Sequence, residues 1–240
     1  MFISRGYWLA KLGSTQAGGL TPIPSVLARA IFNGSYFVNK MEAKKAKLGE
    51  FHLLLIATGS VASVKIPILI KKLQAAYQHI SIQLVLTKNS EFFIKDHIEE
   101  LSKHVKINRD EDEWDNWKKI GDPILHIELT RWADCALIAP LDANTMAKLC
   151  GGICDNLLLS LCRAWNFDKP LLFAPAMNTF MWDHPLTAQH CGVLKSWGYR
   201  IIHPIAKTLA CGDVGVGAME EVDKIIQCLH PIIVDDVNEI

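Results

Sequence analysis

A cysteine near the C-terminal end of the chain stands in a setting that suits proton transfer. Residues 210–219 read Ala-Cys-Gly-Asp-Val-Gly-Val-Gly-Ala-Met, so glycines surround Cys211. A thiol in such a stretch is accessible, and an accessible thiol can transfer a proton. The stretch is not a dinucleotide fingerprint, because no clear strand leads directly into it. A surface hairpin with a buried thiol would explain the same pattern.

Two donor-rich segments follow apolar runs and could bind an anion. Thr58-Gly59-Ser60-Val61 combines a glycine, which lets the backbone approach a ligand, with a hydroxyl and the start of a helical pattern. Thr87-Lys88-Asn89-Ser90 follows the next apolar run and supplies further donors. The first segment has neither a full G-x-G-x-x-G nor a Walker A lysine, so a tight turn with an N-cap serine is the competing interpretation.

A third segment, Pro140-Leu141-Asp142-Ala143-Asn144-Thr145, combines a proline with small and polar residues. Such residues can form a flat, donor-lined shelf for a planar heterocycle. The competing interpretation is an N-cap for the helical pattern that follows, a position that Asp142 or Asn144 would serve well.

His126 and Arg131 lie close together in the sequence, between residues 122 and 134. A single histidine among apolar residues is more often part of a core than a catalyst, and the chain has 9 histidines. Arg131 is a candidate partner for a carboxylate or phosphate, because a guanidinium group binds such groups bidentately.

The elements that must position these residues alternate between strands and helices. Apolar runs predict strands over residues 51–57, 82–86, 135–139, 170–174 and 199–202. Helical patterns follow Ser60 to about residue 76 and cover residues 144–164, 185–197 and 219–229. This alternation predicts an α/β fold: one domain with a doubly wound parallel sheet of Rossmann or flavodoxin type. Such sheets bind ligands at the carboxyl ends of their strands, so the loops there should carry the chemistry.

Composition excludes several classes of function. The 25 basic residues balance the 25 acidic ones, so no net field favours nucleic acid or an anionic membrane as a partner. The longest apolar run, residues 53–70, is interrupted by Gly59, Ser60 and Lys65, which indicates a strand and a helix rather than a membrane span. The 7 cysteines show no C-x-x-C spacing, so no metal site is expected, and a reducing, cytoplasmic location fits best.

Three regions follow from this pattern: an N-terminal extension over residues 1–48, a folded domain over residues 49–230 and a short tail over residues 231–240. Residues 1–40 contain four basic residues and no acidic one, a composition typical of an organelle transit peptide. A disordered extension, or an upstream start before Met41, explains the same composition.

Taken together, these segments resemble the phosphopantothenoylcysteine decarboxylase family, flavoproteins of coenzyme A biosynthesis related to halotolerance proteins. The most specific match is residues 175–182, Pro-Ala-Met-Asn-Thr-Phe-Met-Trp, which fit the family signature P-x-M-N-x-x-M-W in full. The resemblance covers roughly residues 51–229. It is also carried by residues 58–61, 113–117, 122–129, 131–134, 139–145, 154–158 and 211–213.

The resemblance implies an FMN cofactor at the point where the strand order reverses, in a homotrimer whose sites lie between subunits. Its phosphate would be bound by Gly59, Ser60, Val61, Thr87 and Asn89. Its ring would lie against Asp142, Ala143, Asn144, Thr145 and Ala176. Relatives often have serine where this chain has Asn89 or Asp142, which leaves individual hydrogen bonds to FMN open.

The resemblance also implies a reaction, the decarboxylation of 4'-phosphopantothenoylcysteine to 4'-phosphopantetheine. Flavin oxidation of the substrate thiol to a thioaldehyde would supply an electron sink, and the enethiolate left by loss of carbon dioxide would then be reduced and protonated. His126 would be the base of the oxidation, Asn178 would bind the substrate carboxylate and Cys211 would protonate the enethiolate. Further substrate contacts would come from Met181, Arg131, Ala210 and Gly212.

Three other functions compete with this one. Flavin prenyltransferases share the fold but lack the 175–182 signature and the cysteine stretch. An antibiotic-maturing peptidyl-cysteine decarboxylase would stop at the enethiol and would not need Cys211. A halotolerance-type subunit that inhibits a protein phosphatase would carry a long acidic C-terminal tail, whereas residues 234–240 contain two aspartates and one glutamate.

Overall fold

The computed structural model describes residues 50–115 and 117–238, with the backbone alone from residue 235 onward. The described residues lie within one compact unit. The predictions made for residues 1–48 lie outside the described residues.

Six parallel strands form the central sheet, in the order β3-β2-β1-β4-β5-β6. Their bounds are β1 (Phe51–Ala57), β2 (Ile80–Leu86), β3 (Lys106–Asn108), β4 (Cys135–Leu141), β5 (Leu171–Pro175) and β6 (Arg200–Ile201). This arrangement confirms the predicted doubly wound parallel sheet. The strand order reverses between β1 and β4, so the loops that follow these two strands flank the expected binding crevice.

Helices cover both faces of the sheet. A 3-10 segment (Val61–Lys65) leads directly into α1 (Ile66–Ala76), and a 3-10 turn (Lys95–His97) separates α2 from α3. The helices after α1 are α2 (Lys88–Ile94), α3 (Ile98–Ser102), α4 (Asp110–Asp115), α5 (Leu125–Trp132), α6 (Ala143–Cys150), α7 (Leu157–Arg163), α8 (Thr179–Trp182), α9 (Pro185–Ser196) and α10 (Val222–Asn238). Within the described residues, no helix is both long and apolar enough to cross a membrane.

Strand β1 is buried on both faces, which explains why it reads as an uninterrupted apolar run. Leu53 and Leu55 pack on one face, in a cluster that includes residues of α1 and α10. Leu54 and Ile56 pack on the other face, with residues of α5, α6 and α7. Each such side chain contributes roughly 1.5–3 kcal/mol by leaving water, so this strand fixes the middle of the sheet.

The prediction of a single helix over residues 144–164 is wrong, because two helices occupy this region. Gly152 has a φ of +69°, a conformation that favours glycine and that ends the path of α6. A new helix, α7, then begins at Leu157, and the side chain of its N-cap Asn156 accepts a hydrogen bond from the Leu159 amide (2.8 Å).

The predicted end of the last helix near residue 229 is also wrong. Helix α10 continues through Pro231 to Asn238, so residues 231–238 are helical and not a tail. Ile233 is 3% exposed and packs in the core cluster that contains Leu229. Burial of this apolar side chain favours the extra turns despite the hydrogen bond that a proline inside a helix removes.

Two pieces of β-structure were missing from the prediction. Strand β3 has three residues, too few to produce a periodic pattern. Strands β7 (Ile205–Thr208) and β8 (Val214–Ala218) pair antiparallel, so a strand does lead into the glycine-rich stretch, contrary to expectation. The hairpin interpretation is therefore correct, but Cys211 in its turn is exposed rather than buried.

Candidate active site

Thr58 joins the carboxyl ends of β1 and β4. Its buried hydroxyl donates a hydrogen bond to the Pro140 carbonyl (2.9 Å) and accepts one from the Asp142 amide (2.7 Å). The two loops that flank the crevice are therefore held side by side.

The loop after β2 lies against the same place. A Cβ atom added to Gly59 would stand 2.7 Å from the Cβ of Asn89, closer than side chains tolerate. Glycine is therefore required at position 59 for the first and second loops to meet.

Both of these loops open helical segments through side-chain caps. The Ser60 hydroxyl accepts from the Ala62 amide (3.4 Å), and the Thr87 hydroxyl accepts from the Ser90 amide (3.2 Å). Each hydroxyl can also donate a hydrogen bond, and that of Thr87 donates to the Ala57 carbonyl (3.4 Å). The N-cap interpretation of Ser60 is therefore correct, and it places two helical N-termini together, an arrangement that attracts anions.

The loop after β4 also supplies a side-chain cap to the helix that follows it. The Asp142 carboxylate accepts from the Thr145 amide (2.7 Å) and from the Thr145 hydroxyl (3.1 Å), so Asp142 serves as the N-cap of α6. Asn144 is exposed and Ala143 is half-buried beside it. Among the polar side chains of residues 142–145, that of Asn144 is therefore the most exposed.

A cavity of about 370 Å³ lies next to these loops, between the 3-10 segment, the end of β5 and the β7-β8 hairpin. The predicted site residues that line it are Ser60, Val61, Ala176, Asn178, Ala210 and Cys211. The structure thus brings parts of the predicted phosphate, ring and substrate contacts to one cavity.

Asn178, Cys211 and Asp213 form a hydrogen-bonded cluster at this cavity. The Asn178 Nδ2 amide donates to Asp213 Oδ2 (2.6 Å) and lies 3.2 Å from Cys211 Sγ, while Cys211 Sγ lies 3.2 Å from Asp213 Oδ2. The Asn178 Oδ1 atom accepts from the Phe180 amide (2.8 Å), which caps α8 and fixes the direction of the side chain. The hydrogen bonds from Asn178 and then from Cys211 lower the pKa of the Asp213 carboxyl group.

The hairpin reaches this cluster because glycines let β8 pack closely on the 175–182 signature. Gly217 accepts a hydrogen bond from the Met177 amide (2.9 Å) and has a φ of +149°. A Cβ atom at Gly217 would lie 2.4 Å from the Met177 carbonyl oxygen, and one at Gly215 would lie 2.6 Å from the Thr179 side chain. Side chains at these positions would push Cys211 away from Asn178.

His126 belongs to a different group of contacts. Its Nδ1 lies 2.6 Å from Glu113 Oε1, and its backbone amide donates to Glu113 Oε2 (3.0 Å). If Glu113 accepts from Nδ1–H, the neutral tautomer presents Nε2 as the proton acceptor. His126 is not among the residues that line the cavity with Asn178 and Cys211.

The three remaining predicted substrate contacts, Arg131, Met181 and Gly212, are exposed. Arg131 forms an ion pair with Glu128 on the surface of α5 (3.1 Å). Met181 lies on α8, and its carbonyl accepts from the Thr187 hydroxyl (2.5 Å). None of these three residues lines the cavity.

Sequence reasoning missed the carboxylates that hold this site. Asp213 and Glu113 lie in the segments 211–213 and 113–117 that carry the family resemblance, but neither is a predicted site residue. Glu221 also escaped notice; it accepts from Lys65 (3.1 Å) and Lys207 (3.0 Å), which both line the cavity. Hydrogen bonds from Lys207 and then Lys65 lower the pKa of Glu221. No periodic signal marks such partners: Glu113 and His126 are 13 residues apart, Asp213 and Asn178 are 35 apart, and Glu221 and Lys65 are 156 apart.

The residues at the crevice fit the cofactor that the sequence implies. Gly59 leaves no room for a side chain, two capped N-termini face the same edge, and Ser60, Val61 and Ala176 share one cavity. A phosphate suits the N-termini, and the mostly apolar cavity beside Ala176 suits a planar ring.

Comparison with known proteins identifies the family. Residues 41–233 match the family model described as Flavoprotein. The phosphopantothenoylcysteine decarboxylase of Mus musculus is 47% identical over 184 residues, which are 77% of this chain and 88% of the mouse protein.

Solved structures agree with this result. A phosphopantothenoylcysteine decarboxylase with a Cys-to-Ser substitution, complexed with pantothenoylaminoethenethiol, aligns with a TM-score of 0.71 and 46% identity, covering 76% of this chain and 98% of that chain. The FMN-binding protein AtHal3 aligns with a TM-score of 0.68 and 46% identity, covering 76% and 96%. The resemblance found in the sequence is therefore confirmed: the chain belongs to the flavoprotein family and, within it, to the phosphopantothenoylcysteine decarboxylases.

Proposed function

We propose that the chain catalyses the FMN-dependent decarboxylation of 4'-phosphopantothenoylcysteine to 4'-phosphopantetheine in coenzyme A biosynthesis. The observation that carries this function is the cluster of Asn178, Cys211 and Asp213 at the cavity beside the point where the strand order reverses. It combines an amide that can bind a carboxylate with a thiol that can donate a proton.

Bound FMN supplies the reversible two-electron redox chemistry that decarboxylation of a cysteinyl group needs. Gly59, Ser60, Val61, Thr87 and Asn89 hold its phosphate. Asp142, Ala143, Asn144, Thr145 and Ala176 border its ring.

The other residues bind the substrate and move protons. Asn178 orients the substrate carboxylate through its amide, which α8 holds in a fixed direction. His126 accepts a proton at Nε2 when the substrate thiol is oxidised, because Glu113 holds Nδ1. Cys211 donates its thiol proton to the enethiolate carbon in the reductive step. Met181, Arg131, Ala210 and Gly212 complete the substrate pocket.

One relative supports the role of a cysteine in the second half of the reaction. The Cys-to-Ser variant in the solved complex holds pantothenoylaminoethenethiol. An enethiol is the species expected when decarboxylation is complete and reduction has not taken place. In this chain we assign the corresponding step to Cys211.

The active assembly is a homotrimer with sites between subunits, located in the cytoplasm. The separation of His126 from the cavity that contains Asn178 and Cys211 supports sharing of one site by two subunits. Whether residues 1–40 direct the protein to an organelle is tested by localising a fluorescent fusion with and without them.

The function is tested by purifying the protein and adding 4'-phosphopantothenoylcysteine. We expect a yellow protein with a flavin absorption spectrum, one equivalent of carbon dioxide per turnover, and 4'-phosphopantetheine as the product. A protein that cannot be loaded with FMN would contradict the whole assignment. A loaded protein that releases the enethiol as its end product would instead indicate a peptidyl-cysteine type of decarboxylase.

A further inference from the structure

The amide group of Asn178 already has partners in the hairpin. A side-chain amide has two N–H donors and one carbonyl acceptor. Asp213 Oδ2 lies 2.6 Å from Nδ2, Cys211 Sγ lies 3.2 Å from it, and Oδ1 accepts from the Phe180 amide. A ligand carboxylate that binds to Nδ2 must therefore displace at least one of these contacts.

The contact that such a ligand resembles chemically is Asp213. Both are carboxylates, and both would accept the same short hydrogen bond from Asn178. Two carboxylates at one amide group repel each other, so binding of one disfavours binding of the other. We propose that Asp213 is a positioning residue whose carboxylate occupies the place of the substrate carboxylate on Asn178 and leaves it when the substrate binds. This inference rests on the proposed function, because it takes the substrate to be a carboxylate.

The hairpin structure confines this exchange to the turn. Below the turn, β8 is attached to the signature segment by the hydrogen bond between Gly217 and Met177 (2.9 Å). Within the turn, the Leu209 amide donates to the Asp213 carbonyl (2.8 Å) and the Gly212 amide to the Leu209 carbonyl (2.9 Å). Residues 209–213 are thus internally braced, and Asp213 and Cys211 move together.

Because Asp213 and Cys211 move together, the exchange of carboxylates can control the position of the Cys211 thiol during the reaction. Substrate binding separates Asp213 from Asn178 and shifts the turn that carries Cys211. Loss of carbon dioxide removes the competing carboxylate, so Asp213 returns to Asn178 and brings the Cys211 thiol back to the site where the enethiolate must be protonated. Asp213 transfers no proton in these steps. Its return to Asn178 moves the Cys211 thiol into position only after the carboxylate has left.

The test compares two ligands that differ only in the carboxylate. 4'-Phosphopantothenoylserine retains the carboxylate but has a hydroxyl in place of the oxidisable thiol. 4'-Phosphopantothenoyl-ethanolamine has the same hydroxyl but no carboxylate. Each ligand is titrated onto the FMN-loaded protein by calorimetry. The proteins are wild type, Asp213→Ala, Asp213→Asn and the control Asp223→Ala, which removes an exposed carboxylate that pairs with Lys72 on a different surface.

We expect Asp213→Ala to bind the serine ligand about fivefold more tightly than wild type, the scale of one hydrogen bond to a charged group screened by solvent. Binding of the ethanolamine ligand should not tighten. Asp213→Asn, which keeps the shape of the side chain without its charge, should change in the same direction by a smaller factor. Asp223→Ala should match wild type with both ligands.

Equal changes for the two ligands, or weaker binding of the serine ligand alone, would overturn the exchange and leave Asp213 a structural part of the turn. Retained FMN binding shows that each variant is folded, and Asp213→Asn gives the answer if Asp213→Ala does not fold. A wild-type protein that binds neither ligand and does not turn over the cysteine substrate would overturn the proposed function itself. Failure of the carboxylate exchange can therefore be distinguished from failure of the proposed function.

Discussion

At the residue scale, the site depends on carboxylates that orient other groups. Glu113 contacts both the ring and the backbone of His126, and Asp213 contacts both Asn178 and Cys211. Each of these carboxylates therefore restricts two polar groups at once. The orientation of the predicted base and of the predicted acid follows from these pairs.

Replacement of His126 tests the role of the base. We expect His126→Asn to retain FMN, because the side chain lies outside the residues predicted to hold the cofactor. Its kcat should fall at least about 100-fold, the usual effect of losing a general base. Absorption spectra measure the bound flavin and a carbon dioxide assay measures the rate. Full activity would rule out the assigned role.

Replacement of Cys211 separates the two halves of the reaction. Cys211→Ser should still release carbon dioxide, but the enethiol should accumulate because a hydroxyl is a far weaker acid than a thiol. Mass spectrometry distinguishes the enethiol from 4'-phosphopantetheine. Cys154→Ser replaces another exposed thiol, one that does not line the cavity, and should form the normal product. Normal product from Cys211→Ser would remove Cys211 as the acid.

At the scale of elements, the hairpin is positioned by its glycines rather than by a hydrophobic face. Strand β8 approaches the signature segment so closely that side chains are excluded at Gly215 and Gly217. The turn between β7 and β8 can therefore reach Asn178 although the hairpin is not part of the central sheet.

The docking of the hairpin is tested by Gly217→Ala. An alanine at a φ of +149° and 2.4 Å from the Met177 carbonyl oxygen should cost about 1–3 kcal/mol of docking free energy. The hairpin should then open locally, and the enethiol should accumulate as it does without Cys211. Gly192→Ala is the matched control, because it lies in α9 with nothing within 4 Å of the added methyl group. That control should be neutral or stabilise by up to about 1 kcal/mol; identical behaviour of the two variants would contradict the docking role.

At the scale of the whole molecule, a site shared between subunits can be detected by mixing inactive variants. His126→Asn and Asn178→Asp should each be inactive alone. If every site takes His126 from one subunit and Asn178 from another, randomly mixed trimers should recover about one quarter of wild-type activity, half times half. The variants are unfolded and refolded together, and activity is measured per bound flavin. No recovery would mean that one subunit supplies both residues.

Buried thiols give the folded protein a defined sensitivity to alkaline pH. Burial raises the pKa of Cys135 and of Cys162 to about 12 from the ordinary value of 9.0. The folded state thus keeps these protons longer than the unfolded state does. The stability that they contribute is complete below pH 9 and is lost as the pH rises towards 12.

The free energy of unfolding should therefore fall by about 2 kcal/mol between pH 9 and pH 10 from the two thiols together. Denaturant titrations at both pH values measure this. Cys162→Ala should be less stable at every pH because of the cavity, but should lose about 1 kcal/mol less over this interval. Cys154→Ala, at an exposed position, should keep the wild-type slope. An unchanged slope in Cys162→Ala would contradict the buried-thiol explanation.

The sequence by itself determined the sheet and the family. Strands such as β1 and β4 are buried on both faces, so their apolar runs are visible without any knowledge of their neighbours. The residues at the carboxyl ends of these strands follow from the same pattern, and the 175–182 signature identifies the family because its residues are contiguous. Local conformational chemistry also indicated an N-cap at Ser60, as the alternative to an anion site, and an N-cap at Asp142 or Asn144, of which the structure uses Asp142.

Only the tertiary structure decided which of these residues meet. The contacts between Asp213 and Asn178 and between Glu113 and His126 join residues that are distant in the sequence, and no period links them. The continuation of α10 past Pro231 depends on burial of Ile233, which exists only when the helix packs on the sheet. Cys211 is exposed and yet held at Asn178, because close backbone packing at the glycines of β8 fixes the hairpin. The presence of glycine in the sequence does not by itself indicate such packing. Local patterns therefore describe the elements, whereas the site depends on long-range contacts that form when those elements pack.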